Sequence, residues 1–280
     1  PGVDLLELFH GPTAAFKDAG ARFLAASLAA ARSAAPAGAD PRPLTILVAT
    51  SGDTGGAVAA AFHGRPGLRV VVLYPDGRVS PRQAHQLGCF GGNVHAFRVA
   101  GSFDDCQAMV KAASADAALR AEVPLSSANS ISLGRLLPQM AWYACASLAH
   151  RHRHGEPARF VVPTGNLGNA LAGVWARRLG LPIGAIVLAT NANRGLVDVL
   201  EGRDPPSGPS LATLANAMDV AAPSNLERLR HLAPSLAALR GEVSAASIDD
   251  ARLRAVMREA EARWGHVVCP HTAAALAVIE

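Results

Sequence analysis

The 280-residue sequence lacks several features that mark common classes of protein. It has no apolar run of the roughly 18 residues that a membrane-spanning helix needs, so we expect no membrane association. Its 26 lysines and arginines exceed its 22 acidic residues by four, but they form no long basic run. This distribution argues against a nucleic-acid-binding surface and predicts at most a mild attraction for small anions.

Paired cysteines are also absent. Cys89, Cys106, Cys145 and Cys269 are far apart and form no Cys-x-x-Cys pair, and no signal peptide is recognisable. A reducing, cytoplasmic compartment is therefore expected. None of the four has a sequence context that predicts an activated thiol, and we expect His271, in "CPHTAAAL", to cap or pack a helix.

A metal site is not predicted either. The run "HRHRH" at 150–154 has two histidines four residues apart, but it is interleaved with arginines and has no carboxylate or cysteine nearby. Positive side chains at a helix C-terminus explain it better than metal ligands do.

What is present is an alternation of short apolar segments with longer alanine-rich ones. The apolar segments predict buried parallel strands at 44–50, 69–75, 94–100, 159–165 and 184–190. Helical patterns lie at 54–63, 80–89, 103–114, about 131–152, 168–179 and 249–264. This order predicts an α/β fold with helices on both sides of a twisted parallel sheet. Ligands of such sheets bind beyond the carboxyl ends of the strands.

Two loops at such strand ends have a ligand-binding composition. "TGNLGN", 164–169, combines two glycines with a helix start near Gly168, so its backbone N–H groups can hold a phosphate; an ordinary strand-to-helix turn fits equally well. "ATSGDTGG", 49–56, offers Ser51 and Thr54 as donors to a carboxylate or phosphate. Asp53 would repel an anion and fits better beside a hydroxyl or a protonated group. A helix cap without a ligand is the alternative for this loop.

Two further segments add charge. In "HGPTAAFKDAG", 10–20, a Gly-Pro turn and a possible cap at Thr13 put Lys17 in the first turn of a helix, although a solvated surface lysine is the common alternative. In "SSANSISLGRLLPQ", 126–139, Asn129 and Ser130 lie at a helix start with Arg135 about one and a half turns later. This is a candidate second anion site, and a simple cap is the alternative.

Together, two anion sites and a helix-start lysine match pyridoxal phosphate. Its aldehyde bonds to a lysine amine, and its phosphate suits a glycine-rich helix start. The segments "LELFHGPTAAFKDAG", "ATSGDTGGAV", "SANSISLGRLLPQ", "VPTGNLGNALAG" and "CPHTAAALA", in this order, resemble the threonine synthase family of fold-type-II pyridoxal phosphate enzymes. The resemblance implies a two-lobed α/β fold with parallel or mixed twisted sheets. A small α/β domain would span 45–133, and 1–44 with 134–280 would form a discontinuous cofactor-binding domain.

The resemblance also implies roles for individual residues. Lys17 corresponds to the catalytic lysine that bonds to the cofactor. The other cofactor-binding residues would be Asp53, Gly165, Asn166, Leu167, Gly168 and Asn169. The substrate-binding residues would be Ser51, Thr54, Asn129, Ser130 and Arg135. The implied reaction converts O-phospho-L-homoserine and water into L-threonine and phosphate by γ-elimination and β-addition.

Some features depart from the family pattern. The differences in residue type are packing changes, and they lie at Ala15, Ala19, Gly134, Leu167 and Cys269. The sequence begins with Pro1 and has neither the additional N-terminal nor the C-terminal segment of the family, so we expect a chain truncated at both ends. A phospho-lyase that releases a 2-oxo acid, and a relative that binds pyridoxal phosphate without catalysis, stay open as alternatives. So does the choice between a monomer and a homodimer.

Overall fold

The computed structural model describes residues 2–205 and 208–279. The chain divides into two compact units with the boundary after Pro138, and each unit contains its own parallel β-sheet. Within the described residues, no helix is both long and apolar enough to cross a membrane. The two parallel sheets with their helices confirm the predicted α/β class.

The first unit alternates helices and strands. Its elements are α1 (Lys17–Ser33), β1 (Leu44–Ala49), α2 (Asp53–Phe62), β2 (Leu68–Pro75), α3 (Pro81–Gly88), β3 (Val94–Val99), α4 (Phe103–Ala115), α5 (Ala117–Glu122), β4 (Leu125–Ser127) and α6 (Leu133–Leu136). The four strands form one parallel sheet in the order β3-β2-β1-β4. The strands expected at 44–50, 69–75 and 94–100 are present with ends that differ by one residue.

The first sheet is covered on both faces, which explains why its central strands are almost entirely apolar. Along β1, Ile46 and Val48 pack in one buried cluster with residues of α1 and α2. Leu47, between them, faces a second cluster that contains Cys106 of α4. Because successive side chains of a strand point to opposite faces, a strand buried on both sides needs an apolar residue at every position.

The second unit has the same layout on a smaller sheet. Its elements are α7 (Met140–His154), β5 (Ala158–Pro163), α8 (Gly168–Arg178), β6 (Ile183–Thr190), α9 (Gly195–Glu201), α10 (Leu226–Leu232), α11 (Leu236–Glu242), β7 (Ser244–Ser247), α12 (Asp250–Trp264) and α13 (Pro270–Ile279). Its strands are parallel in the order β5-β6-β7. A 3₁₀ turn, Asn216–Met218, lies in the long connection between α9 and α10.

The helix expected over about 131–152 is interrupted. The structure has the short α6, then a 3₁₀ turn at Leu137–Gln139, and then α7. Pro138 lies in this turn, and a proline has no backbone N–H to donate into an α-helix. The boundary between the two units falls at this interruption.

Residues 1–44 and 45–133 both fall in the first unit. The expected discontinuous domain, in which 1–44 joins 134–280, stays a prediction.

Two adjacent glycines of α2 give a test of packing in the first unit. A Cβ on Gly55 would lie 2.5 Å from side-chain carbons of both Leu87 and Thr50, whereas a Cβ on Gly56 would have nothing closer than the Gln86 Oε1 atom at 3.4 Å. We expect Gly55→Ala to lower the free energy of unfolding by about 1–3 kcal/mol through overpacking. Gly56→Ala should leave it unchanged or raise it by up to about 1 kcal/mol, since alanine favours a helix.

Urea denaturation followed by circular dichroism measures both variants. Equal stability of the Gly55→Ala and Gly56→Ala proteins would contradict this account of the α2 packing.

Candidate active site

The chain that leads into α1 is held by the buried carboxylate of Asp18. The backbone N–H and the hydroxyl of Thr13 donate to its two oxygens at 3.0 and 2.7 Å. A Cβ on Gly11 would lie 2.3 Å from Asp18 Oδ2, so only glycine fits there. Thr13 therefore does not cap the helix as expected, and Phe16 occupies the N-cap position without a side-chain bond. Lys17 is consequently the first residue of α1.

The amine of Lys17 contacts the carboxylate of Asp53, the first residue of α2. Nζ lies 2.9 Å from Asp53 Oδ2, and the two side chains are 15% and 25% exposed. The same Nζ lies 4.5 Å from the centre of the Phe16 ring. The structure thus brings together two residues from separate candidate segments, and Asp53 faces a cationic group.

Gln83 orients Asp53 from the other side. Its Nε2 donates to Asp53 Oδ1 at 2.7 Å. Gln83 itself is fixed by a reciprocal capping box with Ser80 at the start of α3, in which each backbone N–H donates to the other side chain. Gly52, with φ of 134°, leaves room for this amide, because a Cβ there would lie 2.4 Å from the Gln83 side chain. Sequence reasoning missed Gln83, although Ser-x-x-Gln before a helix is a recognisable capping signature.

The loop between β1 and α2 is folded around the buried hydroxyl of Thr50. Its Oγ1 accepts from the N–H groups of Gly52 and Gly55 at 3.0 and 2.8 Å. Ser51 and Thr54 are half-buried in the same loop. Their predicted role toward a substrate stays a prediction.

The segment after β4 lies beside the end of β1. Asn129 Oδ1 accepts from the backbone N–H of Ala49 at 3.2 Å, and Ser130 is half-buried next to it. Arg135 is only 3% exposed, and its Nη1 donates to the carbonyl of Ala128 at 2.7 Å. Burial lowers the pKa of Arg135 to about 10, which shows that keeping its charge costs solvation free energy.

In the second unit, the predicted phosphate loop joins β5 to α8. Leu167 is its buried N-cap residue with φ of 63°, and Gly168 begins the helix. A Cβ on Gly165 would lie 2.9 Å from Met218 Cα, so the loop packs directly on backbone. The first N–H groups of a helix have no partner within it. This donor set suits a phosphate.

The two asparagines of the loop brace it from within the same unit. Asn166 Oδ1 accepts from the N–H and hydroxyl of Ser224, both at 3.1 Å, and Asn225 Nδ2 donates to the Asn166 carbonyl at 2.9 Å. Asn169 Oδ1 accepts from the Tyr143 hydroxyl at 2.9 Å. Burial raises the pKa of Tyr143, which keeps this donor protonated.

Sequence reasoning did not assign a role to Met218, Ser224 or Asn225. Their segment, "AMDVAAPSN", is among the stretches that resemble the family, but it contains no charge pattern or glycine motif that points to a ligand. Its role becomes visible only in the contacts with the loop at 165–169.

The chemistry of these groups fits pyridoxal phosphate. The chain has only two lysines, Lys17 and Lys111, and Lys111 is exposed on α4. Lys17, with a carboxylate at its amine, is therefore the candidate for the aldehyde. The glycine-rich helix start of the second unit is the candidate for the phosphate.

Parallel sheets with ligand-type loops at the carboxyl ends of their strands define an α/β fold of the fold-type-II kind. A family model described as pyridoxal-phosphate dependent enzyme matches residues 5–280, and the chain belongs to that family. The predicted cofactor class is thereby confirmed.

The chain is similar to threonine synthases. It is 43% identical to those of Serratia marcescens and Escherichia coli (strain K12), over 98% of this chain and 62% of each relative. The solved structure of the Escherichia coli enzyme matches with a TM-score of 0.89 and 42% identity, over 98% of this chain and 62% of that one. The pyridoxal-phosphate-bound enzyme of Brucella melitensis matches with a TM-score of 0.82 and 36% identity, over 98% and 63%. The chain thus spans about 62% of the length of the curated relatives it matches first.

The brace behind the phosphate loop gives a second test. Asn225 is fully buried, and Asn225→Ala removes the donor to the Asn166 carbonyl. We expect a loss of about 1–3 kcal/mol in the free energy of unfolding. We also expect roughly tenfold weaker binding of pyridoxal phosphate, because the loop loses its fixed shape.

Asn93→Ala is the matched control. Asn93 Nδ2 also donates to backbone carbonyls, those of Phe62 and Leu68, but within the first unit. It should lose stability while keeping cofactor affinity, as measured by titration of the cofactor absorbance. A similar loss of affinity in both variants would rule out a specific role for Asn225.

Proposed function

We propose that the protein to which this chain belongs is a threonine synthase, which converts O-phospho-L-homoserine and water into L-threonine and phosphate. The observation that carries the proposal is the 2.9 Å contact between Lys17 and Asp53, since it joins two segments that separately resemble this family. The similarity to threonine synthases over 98% of the chain supports it. We further propose a cytoplasmic location and a small-molecule substrate as the binding partner.

In this proposal, Lys17 bonds to the cofactor aldehyde and later moves the proton at the substrate Cα. Pyridoxal phosphate, when bound, spreads the negative charge that develops at that carbon. The carboxylate of Asp53 accepts a hydrogen bond from Nζ at 2.9 Å and so orients the amine. The proton taken from Cα is held by the amine and is available for return to the same carbon.

Asn129, Ser130 and Arg135 are proposed to bind the phosphate that leaves the substrate. Arg135 donates a hydrogen bond to the carbonyl of Ala128, the residue immediately before Asn129. Its guanidinium group is therefore attached to the same short segment that carries the two polar side chains. Because its charge is buried, a phosphate nearby would offset a desolvation cost that the protein already bears. The cofactor phosphate is assigned to Gly165–Asn169, where backbone N–H groups suffice.

Substitution of the two lysines tests the role of Lys17. Reduction of the full-length protein with borohydride in the presence of pyridoxal phosphate should give a phosphopyridoxyl adduct on Lys17, detected by mass spectrometry. Lys17→Ala should abolish the adduct and lower turnover on the order of 10²–10⁴-fold or more. Lys111→Ala, which removes the other lysine of this chain, should change neither.

The products of the same assay separate the alternatives. L-Threonine and phosphate in equal amounts support the proposal. Release of a 2-oxo acid with phosphate would identify a phospho-lyase, and an adduct on Lys17 without turnover would identify a non-catalytic relative. An adduct on Lys111 would remove the basis of the site assignment.

Arg135→Gln tests the assignment of the substrate phosphate. The adduct on Lys17 should survive, while turnover of O-phospho-L-homoserine should fall by about 10²–10³-fold, as for loss of one preorganised charge contact. Arg120→Gln is the control, because Arg120 is exposed on α5 of the same unit. Loss of the cofactor adduct with retained substrate affinity in Arg135→Gln would mean that the two phosphate assignments are reversed.

A further inference from the structure

Helix α3 contacts both of the segments that meet at the ion pair between Lys17 and Asp53. Gln83 Nε2 donates to Asp53 Oδ1 at 2.7 Å. Gln86 Nε2 donates to the carbonyl of Thr13, in the chain that leads to Lys17, at 3.4 Å. Residues three positions apart lie on the same side of a helix, so one face of α3 meets both segments. The placement of α3 therefore bears on the lysine as well as on the carboxylate.

The side-chain amide of Gln83 is fixed at both of its polar atoms. Its Oε1 accepts from the backbone N–H of Ser80 at 2.9 Å, and its Nε2 donates to Asp53. An amide offers one acceptor atom and one donor atom, so turning it around would lose both bonds. Gln83 is only 9% exposed, so water has little access to replace either partner.

The loop before α2 makes room for this amide. Gly52, the residue before Asp53, has φ of 134°, a conformation that favours glycine. A Cβ at this position would lie 2.4 Å from the side chain of Gln83 and would push the amide out of its place. A capping box, a glycine and a carboxylate thus all fit the same orientation of one side chain.

A capping role alone does not explain a glutamine at this position. The third helical residue of a capping box needs only an acceptor oxygen, which glutamate supplies as well as glutamine does. The contact with Asp53 needs a donor, which glutamine has and an ionised glutamate lacks. A glutamate would place a second carboxylate against Asp53 Oδ1. The donor is therefore what this site requires of Gln83 beyond the cap.

We propose that Gln83 is a positioning residue of the active site, which holds the carboxylate of Asp53 in place whether or not Lys17 is bonded to it. The inference rests on the role proposed for Lys17. When Nζ bonds to the cofactor aldehyde, Asp53 Oδ2 loses the bond from Nζ, whereas Oδ1 keeps the bond from Gln83. The carboxylate then keeps its orientation, and the amine meets it again when it is released.

Amine labelling of the full-length protein without cofactor measures how firmly Lys17 is held. Limiting acetic anhydride, followed by peptide mass spectrometry, gives the labelling rate of Lys17 relative to the exposed Lys111. This ratio should be low, since the Lys17 side chain is 15% exposed and bonded to Asp53. Gln83→Met keeps the length of the side chain but lets Asp53 turn to water. The ratio should then rise about tenfold, as for loss of one hydrogen bond to a charged group.

Adduct formation should change in the opposite direction. The yield of phosphopyridoxyl adduct on Lys17 after brief exposure to pyridoxal phosphate and borohydride should fall about tenfold in Gln83→Met and in Gln83→Glu, because the amine is no longer held in one place. In turnover, kcat should fall by a similar factor with little change in KM. Gln83→Glu keeps the acceptor of the capping box, so it separates loss of the donor from loss of the cap and provides the test if Gln83→Met folds poorly.

Ser102→Ala is the matched control, because it breaks the other capping box of the same unit, between Ser102 and Asp105 at the start of α4. It should lower stability in urea denaturation and leave the labelling ratio and the adduct yield unchanged. Equal changes in Ser102→Ala and the Gln83 variants would overturn the proposal, as would unchanged adduct formation in folded Gln83→Met or Gln83→Glu. Because labelling needs neither cofactor nor substrate, it tests Gln83 separately from the reaction proposed above.

Discussion

The first unit is organised around the ion pair between Lys17 and Asp53. A partly buried ion pair is maintained only if its geometry is good and further hydrogen bonds satisfy the remaining atoms. Gln83 supplies such a bond to the second carboxylate oxygen, and its own capping box with Ser80 fixes it in turn. On the lysine side, the buried carboxylate of Asp18 fixes the chain before α1. The amine of Lys17 is thus positioned by polar groups that a ligand does not need to touch.

In the second unit, side chains likewise fix the groups that are candidates to meet a ligand, but these groups are backbone N–H groups and not an amine. There the side chains of Asn166 and Asn169 accept from Ser224 and Tyr143. Asn225 donates to the backbone carbonyl of Asn166, and Met218 closes the space behind Gly165. What is left to meet a ligand is the backbone at the start of α8. Backbone N–H groups form a good anion site only when the loop cannot relax, so the bracing side chains matter as much as the glycines.

The sequence predicts those features whose cause is local. Strands β1, β2 and β6 lie inside their sheets and were predictable because burial on both faces requires continuous apolar runs. Strands β3 and β5 lie at sheet edges and are partly exposed, and they were predictable because their β-branched and aromatic residues favour strands. Strands β4 and β7 were not predictable, since "LSS" and "SAAS" are short and consist mainly of serine and alanine, which carry no strand signal. Likewise, Lys17 and the glycine-rich loops carry their own signals, whereas Gln83 acquires its role from Asp53, 30 residues away, and Ser224 from Asn166, 58 residues away.

The 3₁₀ turn Asn216–Met218 shows how one short segment takes part in two such distant contacts. The backbone N–H of Ala217 fixes the proton of His271 on the nitrogen that faces Cys269. Gly165 packs against the backbone of the next residue, Met218. One short turn therefore has to satisfy two requirements, the orientation of a histidine ring and the close approach of a phosphate-type loop. The surroundings of Cys269 and the shape of the loop at 165–169 are both properties of the folded second unit. The segments "CPHT" and "TGNLGN" alone do not contain the residues of the 3₁₀ turn that complete these contacts.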